Sequence, residues 1–217
     1  MVLLKFRIWG NLRFLSHAET MKVFQRACAR AGLDVAHTEG FNPRPRLSLP
    51  LPRSVGVESD EELLAFVVRC DDGEDAAVDL EGRVRRRLSE QLPRGCEILS
   101  CTAVRGGRTP LPRSAAYVLA VRPEYLGEQL RNRIKDLLAS ETLVLRRRVD
   151  EKASRFKDVD VRSFLKSIEL KNGCVSVECE ISSCGSIRVE EILDILSLDI
   201  AKLARPIKRT SVQWSWQ

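Results

Sequence analysis

Apolar and polar residues alternate along residues 2–9, the first stretch of the chain with a clear pattern. Leu4, Phe6 and Ile8 fall on one face, and basic residues and Trp9 fall on the other. A period of two is typical of a strand with one buried face. The pattern therefore predicts a first strand at residues 2–9.

A helix is predicted to follow the break at Gly10-Asn11. Ser16-His17-Ala18-Glu19 fits a capping box, in which the Ser16 hydroxyl and the Glu19 carboxylate each bond to the other residue's backbone amide. Apolar residues then recur at helical spacing as far as Gly32, which is a typical C-terminal stop. Basic residues lie four apart on the outer face of this predicted helix.

The rest of the first half completes a β-α-β-β-α-β order. Dense prolines in residues 40–60 exclude a helix and a central strand, so we predict an extended loop there that is rich in Pro and Arg. The other predicted elements are a short strand at 33–39, an edge strand at 46–51, a buried strand at 62–70, a helix at about 76–91 and a strand at 96–104. This order is ferredoxin-like, and it predicts a first domain at residues 1–105.

After a Gly- and Pro-rich linker at 105–114, the pattern starts again and predicts a second domain at residues 115–217. Its predicted elements are a strand at 116–122, a helix after Pro123, a strand at 142–149, a charged separator at 150–162, a hairpin with arms at 164–170 and 174–181, a helix at 188–197 and a strand at 207–214. Asn172-Gly173 is typical of the tight turn of such a hairpin. We predict an α+β fold of tandem ferredoxin-like domains with antiparallel sheets, the second with an extra hairpin strand.

Composition narrows the functional class. The 217 residues carry a formal net charge of +6, with 36 Lys plus Arg against 30 Asp plus Glu. A basic surface is most often only a solvated one, but arginine recognises phosphates and carboxylates through its planar fork, so nucleic acid is the leading functional alternative. No stretch is apolar enough to span a bilayer, and the alternating N-terminus does not resemble a secretion signal. We therefore expect a cytoplasmic protein.

The cysteines do not indicate a metal or redox centre. Their number is odd, and they lack the close spacing of a metal-binding knuckle; they are Cys28, Cys70, Cys96, Cys101, Cys174, Cys179 and Cys184. Most are predicted to be small buried apolar residues. Phosphate-binding, dinucleotide-binding and hydrolase motifs are also absent from the sequence, so we predict no cofactor and no metal.

The predicted site lies at the start of the first helix and in the loop that follows the next strand. His17, in the first helical turn, is compatible with local hydrogen bonding, with ligand contact, or with acid–base catalysis on a ribose hydroxyl. The Gly40–Arg46 loop is either a rigid solvated connection or a preorganised phosphate or RNA platform, with Phe41 or Trp9 to stack on a base. We predict ligand or RNA contacts at Arg13, Ser16, His17, Phe41, Asn42, Arg44, Arg46 and Arg53.

Several motifs resemble one known family. They are Gly10-x-Leu12-Arg13-Phe14-Leu15-Ser16-His17, Phe24-Gln25-Arg26-Ala27, Arg30-Ala31-Gly32-Leu33, Gly40-Phe-Asn-Pro-Arg-Pro-Arg46, Val55-Gly56-Val57-Glu58-Ser59, Asp160-Val-Arg162 and Ile207-Lys208-Arg209-Thr210. Together they resemble the bacterial radical-SAM-linked protein family, a domain of unknown function found alone or fused behind a B12-binding radical SAM enzyme. Ala18-Glu19 stands where relatives are expected to have Leu-Asp.

The resemblance implies a radical SAM enzyme as partner and a connection with RNA or ribosome metabolism. The chain itself has no CxxxCxxC motif, so it is not the radical SAM catalyst. We expect an accessory protein that binds RNA or presents a substrate. Two alternatives stay open: a metal-independent endoribonuclease that uses His17, as in CRISPR repeat-processing enzymes with tandem ferredoxin-like domains, and a pure protein-interaction scaffold.

Overall fold

The computed structural model of the chain describes residues 1–69, 79–106, 108–150 and 155–216. Contacts divide the chain into unit 1, which comprises Met1–Leu111 and Trp214–Gln217, and unit 2, which comprises Pro112–Gln213. The fold is mixed α/β, with four α helices and mostly antiparallel strands among the described residues. None of the described helices is long and apolar enough to cross a membrane. The predicted turn at Asp71–Gly73 and the start of the second helix lie outside the described residues.

The described residues of unit 1 contain four antiparallel strands and two α helices. Its elements are β1 (Val2–Ile8), α1 (His17–Arg30), β2 (Leu47–Ser48), β3 (Glu58–Phe66), α2 (Leu80–Ser89) and β4 (Cys96–Ala103), with a single 3-10 turn at Gly10–Phe14 between β1 and α1. The strands lie in the order β2-β3-β1-β4. Two neighbours in the sheet, β1 and β3, pair with Leu4 opposite Leu64.

The alternation predicted for the first strand is confirmed, and its apolar face lies in the main core of unit 1. Leu4, Phe6 and Ile8 are at most 2% exposed and pack in one cluster with side chains of α1 and α2. The Phe6 and Phe24 rings meet edge to face, with centroids 4.6 Å apart. Leu3 is buried on the opposite face of the sheet in a smaller cluster.

Unit 2 contains a larger sheet and a separate two-stranded ribbon. Its elements are β5 (Leu111–Ala120), α3 (Glu128–Ala139), β6 (Val144–Asp150), β7 (Arg155–Asp160), β8 (Leu165–Lys171), β9 (Cys174–Ser182), β10 (Gly185–Ser186), α4 (Val189–Ile195) and β11 (Lys208–Ser215). The sheet runs β8-β9-β5-β11, and the short β10 also pairs with β9. β6 and β7 pair only with each other among the described strands, and we call this two-stranded sheet the ribbon.

The predicted hairpin of the second half is confirmed. β8 and β9 pair antiparallel, with Lys171 opposite Cys174. Asn172 and Gly173 between them both have positive φ, of 52° and 77°. Two positive φ values are what a tight hairpin turn of this type needs, and Asn and Gly are the residues that adopt them at least cost.

Two strand predictions are wrong. The strand predicted at 33–39 is reduced to single bridges, Val35 to Val68 and His37 to Pro45. The chain turns back on itself at Gly40, and the two prolines of the returning arm have no N–H for a ladder. The predicted separator at 150–162 contains β7, because the local charge pattern did not show that this stretch pairs with β6.

Asp160-Val161-Arg162 joins three parts of unit 2. One Asp160 carboxylate oxygen accepts the amides of Leu143 at 2.8 Å and Arg162 at 2.9 Å. These two bonds, in that order of effect, lower the pKa of Asp160. The Arg162 guanidinium donates to three further carbonyls, those of Ser140, Leu138 and Leu165. This motif therefore has a structural role that needs no ligand.

Candidate nucleic-acid interface

The start of α1 has the predicted capping box. The Ser16 hydroxyl accepts the Glu19 amide at 3.3 Å, and a Glu19 carboxylate oxygen accepts the Ser16 amide at 2.8 Å. The Ser16 hydroxyl also donates to the same carboxylate at 2.7 Å. The bonds from the Ser16 amide and then from its hydroxyl lower the pKa of Glu19. Ser16, one of the predicted contact residues, therefore has a structural role at this helix start.

Arg53 lies at the centre of a buried network. Its guanidinium donates to the carbonyls of Arg13 at 2.7 Å, Leu15 at 3.1 Å and Leu12 at 3.3 Å, and also to the carbonyl of Val57. The Arg53 side chain is only 9% exposed. A planar fork of five donors suits this arrangement, which we call the Arg53 network, better than any other side chain would. Arg53 is thus placed to hold the segment before α1.

Two of the motifs from the resemblance bind each other in the same region. The Gly56 amide donates to the Arg13 carbonyl at 2.8 Å, and the Gly10 amide donates to a Glu58 carboxylate oxygen at 3.0 Å. Gly56 has φ +88°, which a residue with a Cβ adopts only with strain. The segments around Gly10 and Gly56 therefore form one structural unit, although more than forty positions separate them in the sequence.

The Arg13 side chain folds back locally. Its Nη1 atom donates to the Gly10 carbonyl at 2.8 Å, and its guanidinium lies 4.2 Å from the centre of the Phe14 ring. Phe14 is 55% exposed, so the pair lies at the surface. Stacking of this kind orients both side chains and leaves a flat polar and aromatic surface towards solvent.

His17 lines a small crevice with Thr20, Arg53 and Glu62. Thr20 and Glu62 are 7% and 4% exposed, and the Thr20 hydroxyl donates to the Ser16 carbonyl at 2.9 Å. The cavity volume is about 10 Å³, which is room for about one water molecule. A histidine, a carboxylate and a hydroxyl can move a proton, but a nucleotide would enter this crevice only after the walls had moved.

The Gly40–Arg46 loop is the tip of a short two-armed turn. The Thr38 amide donates to the Arg44 carbonyl at 2.8 Å, and the Arg44 amide donates to the Thr38 hydroxyl at 3.0 Å. The Arg46 amide donates to the Ala36 carbonyl at 2.7 Å. Phe41 lies at the tip with its side chain fully exposed, and Asn42 beside it is exposed as well. Both ends of the tip are therefore held by backbone bonds.

A groove of about 650 Å³ runs beside this turn in unit 1. Three arginines contribute to it, namely Arg44, Arg46 and Arg108, and we call it the basic groove. Its other lining residues are Met1, Gln25, Thr38, Pro45, Leu47, Ser48, Ala65, Phe66, Val67 and Thr109. None of these lining residues is acidic. Within the described part of the chain the three guanidiniums form no ion pair, and their side chains are exposed.

The predicted contact residues thus fall into separate groups. His17 and Arg53 line the crevice, whereas Arg44 and Arg46 line the basic groove. Arg13 and Ser16 are held by local bonds, and Phe41 and Asn42 lie at the loop tip. Sequence reasoning missed Arg108 in the groove and Glu62 in the crevice. The basic run Arg105-Gly-Gly-Arg108 was visible in the sequence, but nothing local placed it beside the loop.

The described residues contain no metal-binding cluster, and two of their cysteines, Cys28 and Cys179, are buried. No group of three or more His, Cys, Asp or Glu side chains among them is placed to hold a metal ion. Burial raises the pKa of Cys28 to about 11 and the pKa values of Cys96 and Cys179 to about 12. These thiols stay protonated at neutral pH and pack as apolar groups.

A comparison with protein families finds one match. The family described as an uncharacterized protein conserved in bacteria, DUF2344, matches residues 2–193. The chain belongs to the DUF2344 family. A comparison with curated proteins finds no match. The matched residues include α1, α2, α3, the first part of α4 and the Arg53 network. They also include every residue of the basic groove except Met1, whereas Ile207–Thr210 lies beyond the match.

Proposed function

We propose that this DUF2344 chain binds RNA through the basic groove and serves as an accessory protein to a radical SAM enzyme. The observation that carries the proposal is the presence of Arg44, Arg46 and Arg108 in one groove without an acidic lining residue. Arginine forks match phosphate oxygens, and an unpaired guanidinium gains most from an anionic ligand. Phe41 at the adjoining loop tip supports a single-stranded segment, whose unpaired bases stack on aromatic rings.

The geometry of the loop supports binding without a large ordering cost. Arg44 is held through its amide and carbonyl by Thr38, and prolines at positions 43 and 45 fix the backbone on both sides. A ligand that meets a preordered loop loses less affinity to conformational entropy than one that must order it.

The test is a binding titration of the whole chain with a labelled single-stranded RNA over a series of salt concentrations. Three neutralised phosphates on a single strand predict that log K falls with log salt with a slope of about −2 from the groove alone. Replacing Arg44, Arg46 and Arg108 together by Ala should weaken binding and flatten the slope by about 2.

A matched control separates the groove from total charge. Arg85, Arg86 and Arg87 are exposed on α2, and their replacement by Ala removes the same charge. The proposal fails if the wild-type chain binds no RNA at low salt, or if the α2 variant loses as much affinity and salt dependence as the groove variant.

The partner is proposed from the resemblance to the radical-SAM-linked family and from the missing CxxxCxxC motif. Coexpression of the chain with a B12-binding radical SAM enzyme from the same genome, followed by purification with nuclease present, tests it. Retention of the enzyme supports the partnership. If the complex purified in parallel without nuclease carries no RNA, and substitution of Arg44, Arg46 and Arg53 does not change the retention of the enzyme, the scaffold alternative replaces the accessory RNA-binding role.

The endoribonuclease alternative rests on the crevice that His17 shares with Glu62 and Thr20. Cleavage of RNA in EDTA by the wild-type chain, lost on His17→Ala and unaffected by His37→Ala, would favour it. RNA that stays intact under these conditions would refute the endoribonuclease alternative. Because the crevice holds about one water molecule, we place RNA binding first.

We also infer that each unit is ferredoxin-like, as the sequence pattern predicts. Support comes from the order of elements: β1-α1-β2-β3-α2-β4 in unit 1 and β5-α3-β8-β9-α4-β11 in unit 2, with the ribbon inserted after α3. The sheet orders β2-β3-β1-β4 and β8-β9-β5-β11 correspond position by position. An experimental structure in which either unit had a different strand order would refute this.

A further inference from the structure

The basic groove has two kinds of wall. Arg44, Arg46 and Arg108 supply its positive charge, and apolar residues such as Leu47 and Val67 line much of the remainder. Val67 is 39% exposed, so part of this apolar wall is in contact with solvent. A ligand made only of phosphates would leave that wall exposed, whereas a ligand with an anionic part and a flat apolar part covers both walls. The lining therefore fits a nucleotide together with its base better than a phosphate backbone alone.

Gln25 is the residue that α1 contributes to the basic groove. Its side chain is half-buried, and it lies one turn after Met21, which packs against the main core of unit 1. Because α1 begins with a bonded capping box, the backbone that carries Gln25 is fixed. Within the described part of the chain, the Gln25 amide has no hydrogen-bond partner. Such a group in a groove is left to bind water or a ligand.

A side-chain amide matches the edge of a nucleobase. It presents an acceptor and a donor side by side in one plane, and the Watson–Crick edge of every RNA base presents a donor beside an acceptor in the same way. The other uncharged polar side chains of the groove belong to Thr38, Ser48 and Thr109, and each offers a single hydroxyl oxygen. The Thr38 hydroxyl already accepts the Arg44 amide at 3.0 Å. Gln25 is therefore the groove residue that can form two parallel hydrogen bonds with a base.

We propose that Gln25 is a specificity-determining residue of the basic groove, where it binds the edge of one RNA base while the arginines bind the neighbouring phosphates. The base lies against the apolar wall. This inference rests on the proposed function, because it takes the groove as the RNA site. It also names the ligand more closely: the groove takes a single strand, because in a duplex the Watson–Crick edge is occupied by the paired base.

The experiment uses the whole chain and two labelled probes with the same number of phosphates: a single-stranded RNA of mixed sequence and an oligomer of stable abasic residues. Gln25→Leu removes the amide and keeps a good helix former. It should weaken RNA binding about 5- to 150-fold, the loss expected for one bidentate base contact, and leave the salt slope unchanged. Binding of the abasic oligomer should not change. Gln129→Leu is the matched control, because Gln129 is exposed on α3 in unit 2 and lies outside the groove.

The two probes separate this inference from the proposed function. If Gln25→Leu binds RNA like the Gln129 control while the triple arginine variant loses binding, the Gln25 proposal is overturned and the groove stands as a phosphate site. Equal losses for RNA and for the abasic oligomer would show that the substitution acts through structure, and would also overturn it. A wild-type chain that binds both probes equally tightly has no base contact, which overturns the Gln25 proposal alone. A wild-type chain that binds neither probe at low salt overturns the proposed function and this inference together.

Discussion

Replacing Arg53 by Met should destabilise unit 1 by about 2–5 kcal/mol. The carbonyls of Leu12 and Arg13 each keep a backbone N–H donor, at 3.1 Å and 2.8 Å. Among the hydrogen bonds described, the carbonyls of Leu15 and Val57 accept only from the Arg53 guanidinium. A buried carbonyl left without a donor costs about 1–3 kcal/mol, and two of them give about 2–5 kcal/mol after partial relaxation.

The assay is urea unfolding followed by tryptophan fluorescence. The chain has three tryptophans, Trp9, Trp214 and Trp216, and all of them belong to unit 1. Their emission therefore reports the unfolding of unit 1, together with the end of β11 on which Trp214 lies. Arg94→Met is the matched control, because Arg94 is exposed in the same unit and should change the free energy of unfolding by less than about 0.5 kcal/mol.

The result also separates two roles for Arg53. A loss of less than about 1 kcal/mol, close to the Arg94 control, would show that the carbonyls find other donors and would refute the reasoning. In that case, weaker RNA binding by the Arg53 variant would mark it as a ligand contact. Arg53→Lys should lie between the wild type and Arg53→Met, since an ammonium keeps the charge but cannot reach both sides of the network.

Three further predictions concern local features. Ser16→Ala should lower the free energy of unfolding by about 1 kcal/mol at neutral pH in urea melts, because the Glu19 amide loses its side-chain acceptor. The variant keeps the residue-16 amide that lowers the pKa of Glu19 most and removes only the smaller contribution of the hydroxyl. The part of the loss that comes from the hydroxyl–carboxylate bond should be full above the ordinary glutamate pKa and disappear as pH falls through the lowered pKa, and a larger loss at acid pH than at neutral pH would contradict this. Gly173→Ala should cost about 1–2 kcal/mol in thermal unfolding, because φ is +77° there, and an unchanged melting temperature would contradict this. A thiol reagent at neutral pH should modify exposed Cys184 well before Cys28, whose burial raises its pKa to about 11, and equal rates in peptide mapping would contradict this.

Local signals predicted the elements that local interactions determine. The capping box at Ser16 and the Asn172–Gly173 turn each depend on bonds or dihedral angles within four residues, and both are confirmed. The ribbon strand β7 was missed because its stability comes from pairing with β6 and from the Arg147–Glu191 ion pair, 44 positions apart in the chain. A charge pattern within thirteen residues carries no information about either contact.

The candidate site was predictable only as a set of residue types. Arginines and prolines in residues 40–46 indicate a rigid basic loop, and the structure describes one held at Thr38. Which arginines face a ligand depends on long-range packing. Arg53 has the same side chain as Arg44, yet it donates to five backbone carbonyls, while Arg108 joins the groove from the segment predicted to be a linker.

The difference between Arg53, which is bound to backbone carbonyls, and the exposed Arg44 and Arg46 determines how binding experiments on the chain should be interpreted. Substituting Arg53 perturbs the carbonyls of the turn before α1, and the same turn binds the segment around Gly56, so a loss of RNA binding would follow from structural change alone. Substituting Arg44 and Arg46 removes exposed guanidiniums whose backbone bonds to Thr38 and Ala36 remain. Only the Arg44 and Arg46 variants measure ligand contact. The salt slope counts neutralised phosphates, so a smaller slope in a variant that is as stable as the wild type reports lost phosphate contacts and not unfolding.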